Sequence, residues 1–219
     1  LEKEKSNLIM VEVLSHIVEF RNGESGLHVL HIRVITETLL KRLVKKTDAY
    51  ALSPSRIALI ANASAMHDIG KISIPEHILN KRGRLTPEEY EIVKAHSVTG
   101  AEMLEGVTYY KTEELVRVAR DICRWHHERY DGGGYPDGLK GEEIPIAAQV
   151  VALADVYDAL TNERVYKPAY THREALRMIL NGECGVFNPL LLECLVEAAP
   201  YLEKELKIRS AGGISKEEL

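Results

Sequence analysis

Cysteine is scarce in this chain, and long apolar runs and an excess of basic charge are missing. The three cysteines, Cys123, Cys184 and Cys194, form no CxxC pair. An odd, dispersed set argues against a disulfide-stapled secreted scaffold and fits a reducing compartment, each thiol serving as a small buried hydrophobe. No apolar run approaches the ~20 residues that a membrane span needs, and no signal peptide is visible. Net charge is −5 with nine histidines counted neutral. That balance argues against nonspecific DNA binding, yet leaves room for an anionic small molecule, because bound cations reverse the local sign. Repeats and low-complexity stretches are also lacking. The chain opens Leu1-Glu2-Lys3 without an initiator Met. We therefore expect a piece of a longer, cytoplasmic protein, with a regulatory domain or a membrane anchor upstream.

What is present is helical periodicity. The 219 residues are 45% apolar and 28% charged, and a chain of this size buries roughly 70% of its unfolded surface in one domain. Leu8, Val11, Leu14 and Val18 mark an amphipathic helix that can serve the core or a parallel homodimer. Leu27 to Val44 is a second helix, with Ile32, Ile35 and Leu39 on one face. Ser53-Pro54 predicts an N-cap and first turn, with the helix running to about Asp68 and stopped by Gly70. Thr86-Pro87-Glu88-Glu89 and Thr171-His172-Arg173-Glu174 are capping boxes. The first opens a helix expected to carry Tyr90, Val93 and His96, and Thr112 is expected to cap another that ends near His126. Residues 131–141 hold five of the 15 glycines and Pro136, which predicts a loop. An apolar helix spans Ile146 to Leu160, and a last one runs from Asn188-Pro189 to near Tyr201. No run of alternating strand residues occurs. The fold class is all-α, a single compact helical domain of about seven to nine helices. Residues 1–22 form an N-terminal helix or linker, 23–202 the main helical domain, and 203–219 a charged tail expected to fray.

Metal chemistry is the strongest signal. Glu24 and His28 are four apart and share a helix face. His67-Asp68 sits at a helix end, where neighbouring side chains can converge. Asp155 lies in the apolar run Val150 to Ala154, where a charge is costly unless it is paired or binds a cation. Consecutive helical residues point about 100° apart, so His67-Asp68 and His126-His127 suit a cluster of ions bridged by a carboxylate better than one small ion. Two metals roughly 4 Å apart are a standard device for phosphoester cleavage. Nitrogen and oxygen ligands without thiolate favour Fe or Mn, with Zn allowed. His16, His31, His77 and His172 are read as satisfied structural residues. Glu24 has three readings: ligand of a third ion, hydrogen-bond partner of a ligand histidine, or helix N-terminal acid. Lys71, one turn beyond Asp68, can neutralise a phosphate oxygen. Gly132 to Gly134 either make turns or let backbone approach a substrate, with Tyr135 offering a face for guanine; Asp131 is read as a turn residue.

His67-Asp68-Ile69-Gly70-Lys71 resembles the signature of the HD phosphohydrolase superfamily. His126-His127-Glu128-Arg129-Tyr130-Asp131-Gly132-Gly133-Gly134-Tyr135-Pro136 resembles the second signature that defines the HD-GYP family. Lys81, Leu85-Thr86-Pro87-Glu88-Glu89, Asp155-Val156-Tyr157-Asp158-Ala159-Leu160-Thr161 and Arg164-Val165-Tyr166 also match, so the resemblance covers roughly residues 15–200. It implies an all-helical HD-domain fold with two or three divalent metal ions, Fe or Mn. It implies a phosphodiesterase that cuts cyclic di-GMP to linear pGpG, and on to GMP, with metal-activated water; some members prefer cyclic GMP-AMP, and a non-catalytic dinucleotide receptor is a further alternative. The implied ligands are His28, His67, Asp68, His96, His126, His127 and Asp155, with Asp68 bridging and Glu24 supporting a third ion. Asp68 and Lys71 are the implied catalytic residues. Arg164 and Lys167 are implied phosphate contacts beside Lys71 and Tyr135. His31 departs from the family pattern, where many members carry Arg.

Overall fold

The computed structural model describes residues 2–21, 27–110, 112–162, 169–210 and 212. Among them are ten α-helical segments and no strand. Nine of the segments run eight residues or more: α1 Glu2–Arg21, α2 Leu27–Leu43, α3 Pro54–Ala63, α5 Pro87–Lys94, α6 His96–Glu105, α7 Glu114–Trp125, α8 Ile146–Thr161, α9 His172–Leu180 and α10 Pro189–Ser210. The tenth, α4, is the single turn Glu76–Leu79. The all-α expectation therefore holds.

The centre is α2, onto which α3, α8 and α10 pack. Its Ile32, Ile35 and Leu39 are fully buried, as their spacing on one face requires. In α8, Val150, Val151, Leu153 and Ala154 are buried all round, which explains why that helix reads as one apolar run. Local chemistry fixes several helix starts as expected. Ser53 Oγ accepts from Arg56 N, and both Thr86 and Thr171 form complete capping boxes with Glu89 and Glu174. Each such cap contributes about 1 kcal/mol.

Other boundaries differ from the sequence reading. The helix from Pro54 stops at Ala63 and tightens into 3₁₀ turns over Ser64–Met66 and Ile69–Ser73. Gly70 lies inside the second turn and does not cap α3. Its absent side chain serves packing instead: a Cβ there would lie 2.0 Å from His96 O and 2.6 Å from Gly100 N. The single helix expected from Thr86 through His96 divides at Ala95, and His96 opens α6. Thr112 is not a cap; α7 begins after Glu113, whose side chain makes no capping bond. The last helix runs beyond Tyr201 to Ser210, with Leu202, Glu205 and Leu206 buried, so the stretch from Glu203 is helical to that point. Along α1, Val18 is buried and Val11 partly so, whereas Leu14 is half exposed. The face that α1 leaves outward carries Ile9, Val13, Ile17 and Phe20. Cys123 and Cys194 are buried as expected, Cys184 only partly, and all three are free.

Because the Gly70 contact is with the backbone of α6, no rotamer change relieves it. Gly70→Ala should cost about 1–3 kcal/mol or more, as overpacking does, and lower Tm by roughly 5–10 °C. Thermal unfolding followed by circular dichroism checks this; an unchanged Tm would mean that the α6 backbone yields without cost.

Candidate metal centre

The 3₁₀ turns after α3 carry His67 and Asp68 into the interior, where α2, α6, α7 and α8 deliver His28, His96, His126-His127 and Asp155. The seven side chains expected as ligands converge. Asp68 Oδ1 lies 3.2 Å from His96 Nε2 and 3.8 Å from His126 Nε2; Asp68 Oδ2 lies 3.2 Å from His67 Nε2. The expected ligands fall into two of the three sets of potential ligands: Asp68 with His96, His126 and His127, and His28 with His67 and Asp155. One carboxylate thus faces both sets with different oxygens, which is the geometry of a bridge.

The imidazoles are oriented by the chain's own groups. His67 Nδ1 donates to Ser64 O at 3.0 Å, His96 Nδ1 to Val93 O at 2.6 Å, and His126 Nδ1 to Ile122 O at 3.0 Å. His28 Nδ1 donates to Asp158 Oδ2 at 2.7 Å. With the Nδ1 protons committed, the Nε2 lone pairs point inward. They approach one another at 3.4 Å between His28 and His67, 3.4 Å between His96 and His126, and 3.2 Å between His96 and His127. Lone pairs so placed repel unless a cation or an added proton sits between them. Bonds of about 2.1 Å put neighbouring ligand atoms roughly 3.0–3.4 Å apart in octahedral or tetrahedral shells, so this donor set fits divalent metal.

Electrostatics divide the centre. Burial, followed by the charge of neighbouring histidines, holds His126 and His127 well below the usual imidazole range, so both are neutral donors. Burial also opposes protonation of His28, but the hydrogen bond and charge of Asp158, with Glu19 and Asp155 beyond, outweigh it and raise its pKa to about 10. Burial is likewise outweighed at Asp68, where Lys71 and His67 keep the carboxyl ionised well below its ordinary range. Lys71 Nζ stands 2.6 Å from Asp68 Oδ2.

The glycine-rich loop closes one side. Glu128, 2% exposed, accepts from Asp137 N at 2.7 Å and Gly138 N at 3.0 Å. A Cβ at Gly134 would lie 2.4 Å from Arg129 N and Glu128 Cα, so glycine is needed for the close approach. Asp131 caps Gly133 N at 2.9 Å, a turn role as expected. The Tyr135-Pro136 peptide is cis. The ring of Tyr135 stacks on His127, 4.6 Å between centroids, so one of its faces is already taken by a ligand residue.

Sequence reasoning passed over three groups. Asp158 is 2% exposed and holds both His28 and His31, the latter through Nδ1 at 2.9 Å. The buried-charge argument made for Asp155, which is 21% exposed, applies more strongly to Asp158 one turn later. Glu128 was hidden beside the histidine pair, and Glu19 on α1 has no local signal. His172, by contrast, is satisfied by Tyr157 Oη at 2.7 Å, and His16 and His77 are exposed. Glu24, Arg164 and Lys167 lie outside the described residues. A separate cavity of about 710 Å³, lined by Tyr50, Arg56, Glu114 and Arg120 among others, contains none of the expected ligands.

Comparison with known proteins agrees with this geometry. The model of the HD domain family matches residues 27–184. A probable cyclic di-GMP phosphodiesterase of Vibrio cholerae is 40% identical over 203 residues, covering 89% of this chain and 45% of the relative. A 3′3′-cGAMP-specific phosphodiesterase of the same organism is 37% identical over 86% of this chain and 34% of the relative. The chain thus spans less than half the length of these two relatives. A solved HD-GYP-type protein from Bdellovibrio bacteriovorus shares the fold, with a TM-score of 0.56, 21% identity, and coverage of 82% of this chain and 52% of its own. With its His67-Asp68 pair and its Gly134-Tyr135-Pro136 loop set on the same cluster of histidines, the chain belongs to the HD domain family, in the HD-GYP branch.

Proposed function

We propose that this chain is a metal-dependent phosphodiesterase that hydrolyses cyclic di-GMP to linear pGpG, with a second cut giving GMP. The observation that carries the reading is the carboxylate of Asp68 set between two groups of inward-facing imidazole nitrogens. The cyclic di-GMP phosphodiesterases among the relatives support the substrate class. The 37% identical relative named for 3′3′-cGAMP supports cyclic GMP-AMP as the second reading. Two or three divalent ions, Fe or Mn, are the proposed cofactors; when bound they lower the pKa of water and neutralise phosphate charge.

The chain's own residues bind and orient. His96, His126 and His127 with Asp68 hold one position, and His28, His67 and Asp155 hold the next. Lys71 brings its ammonium beside the Asp68 carboxylate, where a non-bridging phosphate oxygen would gain a positive partner. The largely buried, imidazole-lined interior strengthens that contact. Tyr135 borders the site, stacked on His127 and with Lys94 Nζ 5.6 Å from its ring centroid, and its remaining edge is offered to a base. Arg164 and Lys167 are proposed to hold phosphate, and Glu24 to support a third ion. Residues 1–22 are proposed to lead from an upstream regulatory domain, in a cytoplasmic setting. Among the described residues no helix is long and apolar enough to cross a membrane. A homodimer through α1 would use Ile9, Val13, Ile17 and Phe20, since Val11 and Val18 serve the chain's own core.

The function is tested by loading the protein with Mn(II) or anaerobic Fe(II) and supplying cyclic di-GMP and cyclic GMP-AMP in parallel, with products identified by mass spectrometry. Linear pGpG is expected; fully loaded protein that binds but cuts neither substrate would make it a receptor. Asp68→Ala should lose bound metal and activity while keeping its helicity, and unchanged metal content in the purified variant would reject the bridge. Lys71→Ala should keep its metal and lose about 100- to 1,000-fold in kcat, the usual effect of removing one transition-state donor. A rate within twofold of wild type would make Lys71 a bystander.

A further inference from the structure

We infer that Glu19 of α1 is a metal ligand, completing the shell of the ion held by His28. The inference rests on the metal-dependent reading above and adds a residue outside both motifs. Glu19 is 2% exposed. A carboxylate taken that far from water costs several kcal/mol unless cationic groups surround it. Glu19 borders the metal centre: one of its carboxylate oxygens, a His28 ring nitrogen and an Asp68 oxygen all lie within 4.8 Å of one another. Ligand atoms on one ion lie at most about 4.4 Å apart, for a trans pair with bonds of 2.2 Å. The spread is therefore within a few tenths of an ångström of a coordination shell.

The tautomer of His28 restricts the arrangement further. Its Nδ1 is committed to Asp158 at 2.7 Å, so Nε2 alone faces the centre, and one lone pair binds one ion. The ion that takes His28 Nε2 is the one that His67, 3.4 Å away, and Asp155, 3.8 Å away, also approach. Glu19 shares His28 with that position and Asp68 with the neighbouring one. Charge points the same way. Two dications set against Asp68 and Asp155 alone leave an excess of two positive charges in a buried site, and a third carboxylate halves it. The position of Glu19 is secured locally. α1 packs on the 3₁₀ turns that flank His67-Asp68, and the Arg21 guanidinium, half a turn after Glu19, donates to Lys71 O at 3.3 Å, to Ile74 O at 2.9 Å and to Ile72 O.

The test is metal analysis of the full chain loaded with excess Mn(II) and then dialysed, combined with anomalous diffraction at the Mn edge. In wild type we expect a peak beside His28 with a Glu19 oxygen at about 2.0–2.3 Å; an oxygen beyond 3 Å from that peak overturns the assignment without any variant. Glu19→Gln, isosteric and neutral, should weaken Mn(II) at His28 at least tenfold while the ion at His96, His126 and His127 stays. Glu19→Asp, one methylene shorter with its charge kept, should fall between. Unchanged occupancy and affinity in Glu19→Gln overturn the role of Glu19 and leave the metal-dependent reading standing. The same holds if Glu24→Gln empties the His28 position and Glu19→Gln does not. Wild type that takes up no Mn(II) at either position overturns both.

Discussion

The ionised carboxyl of Asp68, 7% exposed, is the constraint around which this molecule is built. A charge in that interior is tolerated only with ionic or polar partners close by, and each neighbouring element supplies one. The 3₁₀ turn brings Lys71, the preceding turn His67, α6 His96 and α7 His126. The contact of Gly70 with the α6 backbone sets how near His96 can come. The pKa of His28 is raised above that of a free imidazole, so its protonated form stabilises the fold. That contribution is full below the unfolded value of 6.5 and is lost as pH rises through about 10. A metal ion needs the lone pair that this proton occupies, so loading exchanges protons for cations and grows more favourable with pH across that window.

Much of this centre is legible in the sequence because it is built from residue types that a core otherwise avoids. Adjacent histidines, a His-Asp pair before glycine and an acid in an apolar helix each break a local rule, and the site lies where the rules break. The capped helices were equally legible, since Ser53, Thr86 and Thr171 write their starts in side-chain hydrogen bonds. What escaped depends on distant partners. Gly70 reads as a helix stop, and only the approach of α6 reveals it as a packing residue. The end of α10 looks charged and loose, and only the burial of Leu202, Glu205 and Leu206 shows why it stays helical. Asp158 was visible as an acid one turn after Asp155, yet its pairing with His28 and His31 spans about 130 residues of chain. Glu19 has no sequence neighbour that marks it.

The family motifs also acquire physical content. Glu128 follows the paired histidines because its carboxylate ties back the far end of the loop, at Asp137 and Gly138. Gly134 is glycine because Glu128 and Arg129 backbone stand where its side chain would be. The stacked Tyr135 then buttresses His127 from outside. The loop is thus as much a brace for the imidazoles as a border for a substrate.

One helix joins these two worlds. α1 turns Val18 and Glu19 inward, anchors its end through Arg21 to the turn that follows Asp68, and leaves Ile9, Val13, Ile17 and Phe20 facing out. Such a helix is a shaft with a grip at one end and a key at the other. Advancing it by one residue slides it about 1.5 Å and turns it about 100°, enough to withdraw Glu19 from the interior altogether. A partner that grasped the outward stripe would therefore hold the same helix that carries Glu19 and Arg21.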